Sequence, residues 1–200
     1  GRNVPRERMM EVVHHYEQFG GVSPINEQNR ALIKAVVSEL REHGCDLPVY
    51  WGNRNWHPMI PETLEKMKAD GVKNSLAFFT SIFSCYSGCR QYRENIAEAQ
   101  TEIGEGAPSV NKIRMAFNHP LYIEASVDRV RDAMNQITES RRDSIRFVFT
   151  AHSIPMTMAE GCSYTTQLEE ASRLVMEQIG DQSWQLVYQS RSGPASQPWL

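Results

Sequence analysis

His152 has the setting that speaks most directly of chemistry in this 200-residue chain. It stands in Thr150-Ala-His-Ser-Ile-Pro155, directly after Ser144-Ile-Arg-Phe-Val-Phe-Thr150, the clearest strand in the sequence. In open α/β sheets, ligands gather at the carboxyl ends of strands. A neutral imidazole at such an end can accept a proton or bind a divalent metal. The same position also suits a hydrogen-bonded structural histidine, and position alone leaves both readings open. His57-Pro58 and His119-Pro120 follow strands too. There the X-Pro geometry favours a turn or packing role.

Two other clusters could hold a ligand. Cys85-Tyr-Ser-Gly-Cys89 spaces two thiols so that a helix start can present both on one face. No second Cys or His pair at zinc spacing accompanies them, so unligated thiols in a polar loop are expected. Gly20-Gly21-Val22-Ser23-Pro24 could cradle an anion with backbone N–H groups and the Ser23 hydroxyl. It is equally a plain helix stop, and it is neither a P-loop nor a dinucleotide fingerprint. The basic pairs Arg90/Arg93, Arg129/Arg131 and Arg141/Arg142 are interleaved with acids and read as solvated helix faces.

The elements that must position these residues alternate between helix and strand. Apolar spacing predicts helices after Pro5, over 26–43, 62–69, 88–103, 121–137 and 167–179. Strands are predicted at 47–51, 75–79, 112–117, 144–150 and 184–189. Such alternation implies an α/β fold with a parallel sheet and helices on both faces. Loops 52–58, 80–88, 117–120 and 151–163 then lie at strand ends, where chemistry belongs. The polar run 138–143 is the expected seam between two domains.

Composition narrows the classes further. The chain is 40% hydrophobic and 22% charged, with a net charge of −3. This excludes a disordered polymer and a strongly basic nucleic-acid binder. No window approaches the roughly 18 consecutive apolar residues of a transmembrane helix. Four scattered cysteines fit reduced thiols in the cytoplasm better than a secreted disulfide scaffold. Gly1 in place of Met, and an end at Gln197-Pro-Trp-Leu200 just past a strand, are expected of an internal fragment.

Six segments together resemble the ferrochelatase family, whose members insert Fe²⁺ into a porphyrin. They are His-Tyr-Glu-Gln-Phe-Gly-Gly-Val-Ser-Pro-Ile-Asn (15–26), Gly-Asn-Arg-Asn-Trp-His-Pro (52–58), Thr-Ser-Ile-Phe-Ser-Cys-Tyr-Ser-Gly-Cys-Arg-Gln-Tyr-Arg-Glu-Asn (80–95), Phe-Asn-His-Pro (117–120), Thr-Ala-His-Ser-Ile-Pro (150–155) and Tyr-Gln-Ser-Arg-Ser-Gly-Pro with Gln-Pro-Trp-Leu (188–200). They occur in family order, and 80–95 is most similar to bacterial coproporphyrin-using forms. The resemblance implies two Rossmann-like halves with parallel sheets flanked by helices, the first at 1–139 without its first strand and an incomplete second at 140–200.

The resemblance also implies roles. His152 matches the histidine that binds iron and assists removal of the pyrrole protons, with its acidic partner beyond residue 200. Tyr16 and Ser23 match porphyrin-contact positions. His15 occupies a contact position that often carries Arg, and Phe117 stands where some members have Tyr, without its phenol oxygen. Ferrous iron enters as substrate, and the partners are the porphyrin and that iron, with no nucleic acid. Some members hold a [2Fe–2S] cluster, but its early cysteine position aligns with Ala125, and no cluster is expected. The fragment alone is expected to be inactive. Two alternatives differ in class: a chelatase for another metal, and a non-catalytic tetrapyrrole-binding module.

The chemistry has a physical logic. A flat porphyrin hides its two inner N–H protons, and a cleft that bends the ring exposes them to a base. An imidazole with an ordinary pKa of about 6.5 exchanges protons near neutrality and holds Fe²⁺ weakly enough to release it. Trp56, Phe79, Phe83, Tyr86 and Phe117 sit in loops that could wall such a cleft.

Overall fold

A computed structural model describes residues 5–180 and 182–200. The chain divides into two compact units, Gly1–Gly52 and Asn53–Leu200.

The first unit is helical. Pro5 precedes α1 (Arg6–Glu17), and α2 spans Ile25–Glu42. Between them Gly20 and Gly21 take φ of +83° and +78°, left-handed values that glycine alone adopts freely. Neither helix buries a residue. The strand expected at 47–51 is not formed among the described residues. Pro48 has no N–H to offer a strand ladder.

The second unit carries the α/β layers. In chain order it contains α3 (Ile60–Ala69), β1 (Asn74–Ala77), a π-turn (Tyr86–Arg90), α4 (Gln91–Ile103), β2 (Ser109–Lys112) and α5 (Pro120–Asn135). A 3-10 turn (Glu139–Ser144), β3 (Phe147–His152), α6 (Met156–Ala159), α7 (Tyr164–Ile179) and β4 (Trp184–Gln189) follow. β1 pairs in parallel with β2, Asn74 opposite Ser109. β3 pairs in parallel with β4, Phe147 opposite Trp184 and His152 opposite Gln189. Parallel neighbours require long crossovers, which α4 and α7 supply. The 3-10 turn that spans the 138–143 run lies between these two pairs.

Three strands differ in their bounds from expectation, and β1 stops at Ala77 rather than running to Phe79. β2 ends at Lys112 rather than beginning there. Past Lys112 the chain turns, with the Arg114 guanidinium on Asn118 at 2.8 Å and His119 N donating to the Ala116 carbonyl at 3.0 Å. β3 runs to His152 itself, because β4 extends to Gln189 and keeps pairing to that point.

The core is built on two faces of α7. Ala171 and Val175 pack with Ile123 and Val127 of α5, each pair one helical turn apart. Tyr164 and Leu168 pack on Ala151 of β3. Phe83, from the loop after β1, touches both clusters. Val127 is 1% exposed, so Val127→Ala removes two buried carbons from a filled site. Urea unfolding of the whole protein should show a loss of about 2 kcal/mol; an unchanged midpoint would mean that the α5–α7 seam contributes nothing.

Candidate functional site at the end of strand β3

Alternation along β3 turns Ala151 into the core and leaves His152 exposed. The His152 Nδ1 lies 2.6 Å from the Ser153 carbonyl oxygen. A carbonyl can only accept, so Nδ1 carries the proton and donates. The lone pair therefore sits on Nε2, the nitrogen left to meet a proton or a metal.

The backbone beneath this imidazole is gripped on every side. The Tyr164 hydroxyl donates to the His152 carbonyl at 3.1 Å. Ser153 N donates to the Gln189 carbonyl at 2.7 Å. The Ser153 hydroxyl, on a residue 1% exposed, donates to the Leu200 carbonyl at 2.7 Å. Leu200 N returns a bond to the Ile154 carbonyl, and Met156 N donates to Pro198. Segment 197–200 thus braces the loop after His152. Trp199 seats its indole over Gly193, where a Cβ would collide with the ring.

The loop after β1 reaches the same place. Phe83 meets Tyr122 and Tyr164 edge-on, both centroids 6.4 Å away. Ser84 N donates to Gln167 Oε1 at 2.7 Å, and Gln167 Nε2 donates to Ser84 Oγ at 3.1 Å. The Cys85 sulfur accepts from Gly88 N at 3.2 Å, capping the π-turn, and both Cys85 and Cys89 are free thiols. Burial is the first cause that pushes the Tyr164 phenol above its ordinary value, with Cys85, Tyr188 and Cys162 adding to it.

In loop 52–58, Arg54 ties neighbouring elements together. Its Nε donates to Asn95 at 3.1 Å, its Nη1 to the Ser87 carbonyl at 3.3 Å, and its guanidinium lies 4.9 Å from the Tyr92 ring centre. His57 Nδ1 lies 2.8 Å from Glu62, whose carboxylate also accepts from Met59 N at 2.9 Å at the start of α3. His119 Nδ1 accepts from Leu121 N at 3.3 Å at the start of α5. Both X-Pro histidines therefore serve helix starts, as turn residues.

The sequence-predicted contacts divide between the units. His15 and Tyr16 are exposed at the end of α1, and Ser23 is half-buried just before α2, accepting from Ile25 N at 3.4 Å. Phe117 is half-buried in the turn before α5. The glycine anion cradle is corrected: Gly20 N bonds the Glu17 carbonyl and Gly21 N the Tyr16 carbonyl, so both donors are spent on closing α1. Phe83 does not line an open wall, whereas Phe79 borders a cavity with Cys89, Arg93 and Arg114. Phe79 is 9% exposed against Tyr92, and Phe83 packs into both core clusters. Trp56 and Tyr86 remain exposed. Among the described residues no three His, Cys, Asp or Glu side chains converge as a metal site. No helix among them is long and apolar enough to cross a membrane. Apolar spacing starts α7 at Gln167, one turn late, and so gives no sign of Tyr164 or of the Gln167 contact with Ser84.

The Met59 N–H and then His57 hold the Glu62 carboxyl below its ordinary value. The stabilisation this gives is present above the ordinary carboxylate range and is lost as pH falls through the depressed one. The protection factor of Met59 N, its exchange rate relative to an unstructured amide at the same pH, should be high at neutral pH and fall in that acid window. Glu62→Gln should flatten the dependence, and a flat wild-type profile would remove the cap.

The ferrochelatase family model matches residues 1–200. A ferrochelatase of Rhodopirellula baltica is 62% identical over 200 residues, spanning all of this chain and 57% of that protein. Coproporphyrin III ferrochelatases of Nocardia farcinica and Mycolicibacterium smegmatis are 50% and 47% identical, again over the whole chain and 59% and 60% of their own lengths. The chain thus spans less than two thirds of the curated relatives it matches.

Proposed function

The chain belongs to the ferrochelatase family, and on that premise we propose that the whole protein inserts ferrous iron into a porphyrin, coproporphyrin III or protoporphyrin IX, in heme biosynthesis. The reaction exchanges Fe²⁺ for the two inner N–H protons of the ring, so the site must present a base and a weak metal ligand to the same macrocycle. The observation that carries the reading is the exposed His152 imidazole, with Nδ1–H committed to the Ser153 carbonyl and Nε2 free.

In this reading Nε2 binds Fe²⁺ and takes up pyrrole protons. A carboxylate beyond residue 200 offsets the metal charge and accepts protons in turn. His15, Tyr16, Ser23 and Phe117 contact the porphyrin. The β1–β2 and β3–β4 pairs belong to two Rossmann-like halves with a seam near 139/140. The names of the coproporphyrin III ferrochelatases at 47–50% identity favour the four-carboxylate porphyrin. Four unpaired thiols suit a reducing cytoplasm.

His152→Ala in the whole protein should lower iron insertion by at least about 10²-fold. Porphyrin binding, read by absorbance, and the unfolding midpoint should stay near wild type. Wild-type turnover by that variant would remove His152 from the mechanism.

A further inference from the structure

The first turn of α7 holds two strand-end loops at once. Tyr164 and Gln167 lie three residues apart, so their side chains leave one face of the helix. Tyr164, 8% exposed, gives its hydroxyl to the His152 carbonyl at 3.1 Å. Gln167 grips Ser84 twice, accepting from its backbone N–H and donating to its hydroxyl. Phe83, the residue before Ser84, stands edge-on to Tyr164 at 89°.

We propose that Tyr164 and Gln167 are positioning residues that set the His152 imidazole against the 83–85 loop. The inference rests on the reading of His152 as the metal-binding base and adds what aims it. The His152–Ser153 peptide is a rigid plane. Its carbonyl is held by Tyr164 and its N–H by the Gln189 carbonyl, so the plane cannot rotate. Ser153 Cα lies at the corner of that plane, and the Ser153 hydroxyl bond to Leu200 with the Leu200 N–H bond to Ile154 settles the next peptide, whose carbonyl accepts the imidazole Nδ1–H. Removing the phenol oxygen frees one edge of the plane and with it the direction of Nε2.

The test uses the full-length protein and its Tyr164→Phe, Gln167→Leu and Gln167→Glu variants. Insertion of Fe²⁺ and Zn²⁺ into coproporphyrin III is followed together with the NMR titration of the histidine Cε1–H signals. Tyr164→Phe should lower kcat about tenfold, with the porphyrin KM within about twofold, because misaimed groups cost rate rather than binding. The His152 signal should move while those of His57 and His119 stay. Gln167→Leu should act in the same direction, and Gln167→Glu, which keeps an acceptor for Ser84 N, should recover most of the loss. Unchanged kcat in folded Tyr164→Phe and Gln167→Leu, a loss confined to KM, or a lower kcat with an unmoved His152 signal would each overturn the inference. Should Tyr164→Phe not fold, the two Gln167 variants decide. A wild-type protein that inserts neither metal overturns the functional reading instead. The His152 signal then decides alone: movement in Tyr164→Phe sustains the positioning role, and no movement ends it.

Discussion

The His152–Ser153 peptide is held between a phenol from α7 and a carbonyl from β4, and the rest of the site is arranged around that plane. A histidine at the tip of a strand would otherwise be free to swing, since its own side chain has two rotatable bonds and little packing. Here the Nδ1–H bond to Ser153 selects one tautomer and one ring direction. Burial of Ser153 makes the arrangement costly to undo. Its hydroxyl is committed to Leu200, and a buried hydroxyl that loses its partner costs about 1–3 kcal/mol.

The need for a crossover explains why one helix does so much. β3 and β4 are parallel, so the chain must leave the sheet and return, and α7 is the return path. Burying its apolar face on β3 and α5 fixes its axis. Its first turn then lies beside the carboxyl end of β3, where Tyr164 and Gln167 can reach main-chain atoms. Phe83 joins both core clusters, so the loop after β1 is anchored in the same apolar volume as α7. Packing and site geometry are here the same set of contacts.

Legibility in the sequence followed the physics of each signal. Helices with three or more turns of apolar spacing lie within a few residues of where the spacing puts them, as α2, α5 and α7 show. Strand ends were less legible. Residues 113–117 look apolar enough for a strand, yet β1 stops at Ala77 and offers no partner beyond it. The Leu47–Trp51 run takes no strand among the described residues, and its Pro48 has no N–H to offer a ladder. His152 was legible because a strand-end histidine is a local pattern. Tyr164, Gln167 and Ser84 were not, because a hydroxyl or amide that bonds a distant backbone leaves no periodicity.

A single imidazole also answers a constraint that a fuller ligand set would not. Three or four protein donors hold a divalent metal as structural sites do, with free energies that forbid rapid release. On the proposed reading iron must arrive, lose its hydration shell and leave into a ring that binds it far more tightly. One neutral nitrogen with a fixed direction can orient the ion without trapping it. The same nitrogen can accept a proton only when it does not hold the metal, so binding and deprotonation must alternate or be shared with another base. On that reading a site with one such nitrogen gains from aiming it well, and the bonds beneath His152 supply the aim.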